Sequence, residues 1–139
     1  YGGFTENSAA EFAYDLDGGL DFVLGESGAG ISQGQAQRLA IARAIVKNAD
    51  VYIFDDSFSA LDLATDARLR ASLRANLPDA NIFIVAQRVG TVINADRIIV
   101  LDNGKVVGMG VHEELLENCE VYKSIVASQL SDNEEEDAV

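Results

Sequence analysis

The hydrophobic pattern of this chain switches between two periods. Over residues 34–47, Leu39, Ile41, Ala42, Ile45 and Val46 recur on one helical face, with Arg38, Arg43 and Lys47 as polar positions. Asn48 suits the end of that helix. Residues 51–54 form an unbroken apolar run, as expected of a strand covered on both faces. Helical spacing returns over 63–76, and Pro78 follows as a stop. Residues 82–86 predict a second buried strand. Residues 6–14 read as a helix whose apolar face is Ala9, Ala10, Phe12 and Ala13, and 15–30, with five glycines, as a loop.

Towards the end the pattern turns to short β-rich runs. Residues 97–101 and 105–108 flank Asn103-Gly104. An Asn-Gly pair in this setting predicts a hairpin, because a type I′ turn needs positive φ at both residues. Two short helices are expected near 111–117 and 121–130. The order helix, strand, helix, strand, hairpin, helices predicts an α/β fold with a small antiparallel addition.

Composition narrows the picture. A length of 139 residues is enough for one compact domain with a real core. No apolar run approaches the roughly 18 residues that span a bilayer. The segment Tyr1-Gly2-Gly3-Phe4-Thr5 lacks signal-peptide features and reads as a chain entered mid-domain. One cysteine, Cys119, excludes an internal disulfide and suits a small buried hydrophobe. The net charge of -13 opposes nonspecific nucleic-acid binding, so no nucleic-acid partner is expected. Residues 131–137 hold five acids and no bases, and 131–139 reads as an acidic disordered tail. Residues 1–130 then form the folded part.

Two segments carry chemistry. In Ile31-Ser32-Gln33-Gly34-Gln35 a polar turn opens a helix; Ser32 offers a hydroxyl and Gly34 allows close backbone approach. A helix N-terminus presents unpaired N–H groups and favours phosphate; the plainer reading of Ser32 is a helix cap. Sixteen residues after Gln35, Val51-Tyr52-Ile53-Phe54 runs into Asp55 and Asp56, followed by Ser59-Ala60-Leu61-Asp62. A strand-end carboxylate can hold Mg²⁺ or cap a turn, and Asp62 can cap the helix that follows. No G-x-x-x-x-G-K-[ST] sequence occurs in the 139 residues.

With Gln37-Arg38-Leu39-Ala40-Ile41-Ala42-Arg43-Ala44 continuing the first segment, this order resembles the signature motif, Walker B strand and D-loop of ATP-binding cassette (ABC) ATPases. Ala95-Asp96-Arg97-Ile98-Ile99-Val100-Leu101 and His112-Glu113-Glu114-Leu115-Leu116 resemble the end of an exporter cassette. The resemblance covers about residues 9–130. It implies the C-terminal part of a RecA-like fold without its phosphate-loop half, leaving a sheet with an open edge. It further implies ATP and Mg²⁺ as ligands, Asp55 as the metal-holding carboxylate, and Ser32, Gly34, Gln35 and Asp62 as nucleotide-facing residues. In this family the signature acts in trans on ATP held by a second cassette.

Two positions depart from the family pattern. Asp56 stands where a glutamate usually polarises the attacking water, and Gln87 where a switch histidine contacts the γ-phosphate. The aspartate is one methylene shorter, and glutamine does not titrate near neutrality. Together they resemble the degenerate half of a heterodimeric exporter. The implied partners are a second, non-identical cassette and exporter transmembrane domains, at the cytoplasmic face of the membrane. Gln33 also departs, standing where a second glycine is commonest. Gly25-Glu26 resembles the segment that senses the transmembrane helices. His112, the only histidine, reads as a capping or packing residue. An alternative from another class is a noncatalytic module that binds and regulates a complete cassette. A DNA-repair or translation type of ABC ATPase is opposed by the acidic charge and the exporter-like ending.

Overall fold

The computed structural model describes residues 10–25 and 29–136. The chain divides into two compact units at Val85/Ala86, where its length suggested a single one. The first part of the expected 6–14 helix and Glu26 of the Gly25-Glu26 pair lie outside the described residues.

In the first unit, α1 (Ala10–Ala13) precedes a 3₁₀ turn at Gly19–Asp21. Then come α2 (Gln33–Val46), β1 (Val51–Asp55), α3 (Leu63–Asn76) and β2 (Asn81–Val85). The strands pair in parallel, in register from Val51 opposite Asn81 to Asp55 opposite Val85. Parallel neighbours need a crossover, and α3 supplies it. Ile41, Ala42 and Ile45 of α2 pack with Tyr52 and Phe54 of β1, Phe58 and Leu61 of the following loop, and Leu69, Leu73 and Leu77. Phe54 meets Phe58 edge-on at 5.6 Å between ring centres. Asn48 ends α2 in the left-handed conformation (φ 49°) and donates its N–H to the Ile45 carbonyl.

The expectation of strands covered on both faces is corrected. Burial alternates along β1 and β2. Tyr52 and Phe54 are buried, while Val51, Ile53, Phe83 and Val85 are exposed, Ile53 at 71%. Residues of α2 and α3 belong to the cluster on the Tyr52–Phe54 face. An unbroken apolar run shows that both faces are apolar, not that each has a cover. Val46, expected inside, is also exposed. Asp66 was not anticipated in the interior. It is buried and takes two hydrogen bonds from Arg70, Nε to Oδ1 at 2.8 Å and Nη2 to Oδ2 at 3.3 Å. Both carboxylate oxygens are thereby satisfied.

The second unit holds α4 (Val89–Val92), β3 (Ile98–Asp102), β4 (Lys105–Gly110), α5 (His112–Asn118) and α6 (Glu120–Glu136). Strands β3 and β4 form the expected hairpin. Asn103 (φ 47°) and Gly104 (φ 75°) supply the two positive torsions of its turn. Val89, Ile98, Val100, Leu115, Cys119 and Tyr122 form the core. Helix α6 reaches Glu136, six residues beyond the expected end at 130, and 137–139 lie outside the described residues. His112 Nδ1 lies 2.9 Å from the Tyr122 hydroxyl, with the rings edge to face. Burial, then the Glu113 charge, pushes the Tyr122 phenol up, so it stays neutral at physiological pH. Among the described residues no helix is long and apolar enough to cross a membrane.

Leu73 and Leu63 both belong to α3, at 1% and 69% exposure. Leu73→Ala is expected to lower unfolding free energy by about 2–5 kcal/mol. Leu63→Ala is expected to change it by less than about 0.5 kcal/mol. Urea denaturation checks both, and equal losses would contradict the packing described.

Candidate functional site

The polar turn before α2 is a capping box. Ser32 is the N-cap, its Oγ accepting from the Gln35 N–H at 3.2 Å, and the Ser32 N–H donates to Gln35 Oε1 at 2.8 Å. Both residues therefore have a structural job, and S-x-x-Q is its sequence signal. The Ser32 O–H and the Gln35 Nε2 remain as donors. Gly34 lies within the helix. A Cβ there would sit 2.9 Å from the Ala60 carbonyl oxygen, too close for a real atom. The glycine thus serves the approach of the first turn of α2 to the Ser59–Asp62 loop.

Asp55 closes β1 with its side chain exposed. One residue on, the Asp56 N–H donates to the Val85 carbonyl at 3.1 Å, extending the ladder by one step. The backbone then turns through the left-handed region at Asp56, φ 49°. Aspartate tolerates that region better than most side chains. Its carbonyl accepts from Gln37 Nε2 at 3.1 Å and from Ser59 Oγ at 3.0 Å. Gln37 Nε2 also donates to Ser59 Oγ at 3.1 Å, and Gln37 Oε1 accepts from the Ala60 N–H at 3.1 Å. One side chain of α2 thus ties together the backbone at the strand end and the loop after it. Sequence reasoning used Gln37 only as part of a motif and missed this role.

Asp62 is the N-cap of α3, its Oδ1 accepting from the Thr65 N–H at 2.9 Å. That backbone bond, then the Thr65 side chain, holds the Asp62 carboxyl below its ordinary 3.8. In the first unit, Gly34 and Gln37 of α2 therefore lie against the Asp56–Ala60 backbone, in the loop that joins Asp55 to Asp62. Gln87 belongs to the second unit, exposed, at the start of the segment leading into α4. No capping side chain on Arg88 serves α4. Gln129 of α6 does so from 40 residues away. Its Oε1 accepts from the Val89 N–H at 2.8 Å, and its Nε2 donates to the Gln87 carbonyl at 2.7 Å. No sequence period marks this contact.

Among the described residues no group of three or more His, Cys, Asp or Glu could hold a metal by itself. Two exposed adjacent carboxylates suit Mg²⁺ only as a shared ion, because it keeps waters and takes one or two carboxylates with phosphate oxygens. Asp55 and Asp56 fit that limited role. A surface cavity of about 430 Å³, lined by Asp102, Glu120, Val121, Ser124, Ile125 and Ser128, contains none of these residues.

Known proteins share this sequence pattern and fold. The ABC transporter family profile matches residues 6–59. A bacterial Atm1-family ABC exporter, solved with ATP bound, superposes with a TM-score of 0.85 at 34% identity, covering 91% of this chain and 22% of that one. The chain is a partial ABC cassette. An uncharacterized ABC transporter ATP-binding protein of Mycobacterium bovis is 50% identical over 111 residues, 80% of this chain and 19% of that protein. The ATP-dependent lipid A-core flippase of Haemophilus ducreyi is 43% identical over 124 residues, 89% of this chain and 21% of that protein. The cassette portion thus spans about one fifth of the length of the curated relatives it matches. Its exporter-type relatives agree with the resemblance read from the hairpin and closing helices.

Two outcomes follow for this partial cassette. Because the folded-state pKa of Asp62 is lowered, its stabilisation is present above 3.8 and is lost as pH falls through the folded value. Asp62→Asn, which keeps a capping oxygen without the titrating charge, should flatten the acid limb of a pH–stability profile. An unchanged limb would exclude the contribution. Separately, Gln129→Ala should speed hydrogen exchange of the Val89 amide by at least ~10-fold while the β3–β4 ladder keeps its protection. Unchanged exchange, read by NMR, would contradict the clamp.

Proposed function

We propose that this chain is the nucleotide-facing part of an ABC exporter ATPase subunit and acts on ATP held by a second cassette. The observation that carries the reading is the packing of the first turns of α2, which follow Ser32, against the Asp56–Ala60 backbone, in the loop that runs from the strand-end carboxylates to Asp62. The first turn of α2 offers donors and a positive helix end to a phosphate from the partner cassette. Ser32, Gly34 and Gln35 are then the signature residues, and Asp62 ends the D-loop. No phosphate-loop sequence accompanies them in the 139 residues. The relatives' likeness to exporters supports transmembrane domains as further partners and a place at the cytoplasmic face of the membrane.

In this reading Asp55 holds Mg²⁺ through water, with Asp56 beside it. When bound with ATP, the ion neutralises charge on the phosphate oxygens. Asp56 holds the water-polarising position with a shorter side chain, and Gln87 replaces the switch histidine. Misplacement of a catalytic group by about 1 Å can cost ~100-fold in rate. The chain's own site is therefore the degenerate one of a non-identical pair, and its signature serves the competent site. A second reading is favoured by the exposed sheet face of Val51, Ile53, Phe83 and Val85. There the chain is a noncatalytic module that adds to a complete cassette and regulates it. Inhibition of that cassette without dependence on Ser32 would support the second reading over the first.

The purified chain alone is expected to show no steady ATP turnover. The test mixture adds a complete exporter cassette carrying a phosphate loop, glutamate and histidine at the corresponding positions. That mixture should turn over ATP, and Ser32→Ala should lower its rate by roughly 10-fold or more, the effect of losing a hydrogen bond to a charged group. Asp56→Asn, which still tolerates positive φ, should leave the mixture within about 2-fold of wild type. Turnover by the chain alone that Asp56→Ala abolishes would contradict the proposal.

A further inference from the structure

We infer that Gln37 is a positioning residue that latches the signature turn to the D-loop, so that the two meet a partner's nucleotide as one piece. The inference rests on the functional reading above and assigns a role to a residue outside the nucleotide-facing set. A primary amide has two N–H donors and one acceptor oxygen. Gln37 commits all of them to chain 19 to 23 residues away: Asp56 O, Ser59 Oγ and the Ala60 N–H. Its polar atoms are spent on protein, so it acts through these neighbours rather than on a ligand.

A separate observation points the same way. Gly34 and Gln37 are three residues apart and lie on one face of α2. At Gly34 the helix comes so near the Ala60 carbonyl that a methyl group would not fit. Steric contact at one turn and three hydrogen bonds at the next grip the same short loop. That loop begins at Asp56, whose left-handed backbone is unfavourable for an L-residue and must be held by its surroundings. Ser59 completes the latch, accepting from Gln37 while donating to the Asp56 carbonyl. A shift of the D-loop backbone cannot leave Gln37 in place without breaking these bonds, and Gln37 lies two residues after Gln35 in the same rigid helix. Displacement of either motif is therefore passed to the other.

Gln37→Met tests this with a side chain of similar length and no amide. In the 139-residue chain, NMR hydrogen exchange at Ala60 should accelerate at least ~10-fold, with the β1–β2 ladder amides unchanged. Gln37→Glu keeps an acceptor for the Ala60 N–H and should restore protection to within about 3-fold of wild type, which a purely space-filling role would not predict. With the complete cassette added, Gln37→Met should lower kcat roughly 10-fold while KM for ATP stays within about 2-fold, since ground-state contacts are intact. Combined with Ser59→Ala, its effect should be smaller than the sum of the two, as expected of partners in one network. If Gln37→Met does not fold, Gln37→Asn, an amide one methylene too short, takes its place in each measurement. Unchanged Ala60 exchange overturns the latch. Released Ala60 with unchanged kcat overturns the positioning role. A wild-type chain that never activates the cassette, yet shows Gln37-dependent protection of Ala60, supports the latch and overturns the functional reading alone.

Discussion

The register of β1 against β2 sets the geometry on which the candidate site depends. Five residue pairs in parallel bring Asp55 level with Val85, and the next N–H, on Asp56, takes the Val85 carbonyl. The ladder can go no further, because the chain there turns into the left-handed region. That turn directs the Asp56 carbonyl to Gln37 and Ser59 rather than to a strand neighbour. The buried side of β1, Tyr52 and Phe54, holds the same α2 whose first turn carries Ser32 and Gln35. A one-residue slip would reverse both faces of the strand and separate the carboxylates from the helix.

Polar side chains in both units do work that a short loop cannot do for itself. Gln37 stabilises a left-handed turn, and Gln129 caps a four-residue helix that has no capping side chain of its own. Each uses an amide to satisfy both a backbone donor and a backbone carbonyl. The Val89 N–H is the part-buried one of these groups, and there the partner also spares a desolvated donor. Glutamine suits the task because it offers both hydrogen-bonding senses on a side chain long enough to span neighbouring elements.

Much of the fold was legible because its signals are local. Ser32, Asn48, Asp62, Pro78 and Asn103-Gly104 mark element ends through caps, stops and turn torsions that act within four residues. The hairpin and both long helices of the first unit fall where those signals put them. The carboxylates and polar turn were legible for the same reason. Strand cover was not, since Val51-Tyr52-Ile53-Phe54 is apolar on both sides whatever lies against it. Nor were the contacts of Gln37 and Gln129, whose partners lie 19 to 42 residues away and leave no period in the sequence. Helix α4, at four residues, is too short for periodicity to register. The length of α6 was underestimated because acidic composition was read as an open tail, whereas glutamate is also a good helix former.

The central claim is that a partial cassette offers its signature face to a nucleotide held elsewhere. Isothermal titration of MgATP tests it most directly, first into the chain alone and then into the chain with a complete exporter cassette. The account predicts negligible heat from the chain alone and tighter binding in the mixture than for the complete cassette alone, with the gain lost in Ser32→Ala. Equal binding by the complete cassette with and without the chain, while circular dichroism shows the chain folded, would contradict it.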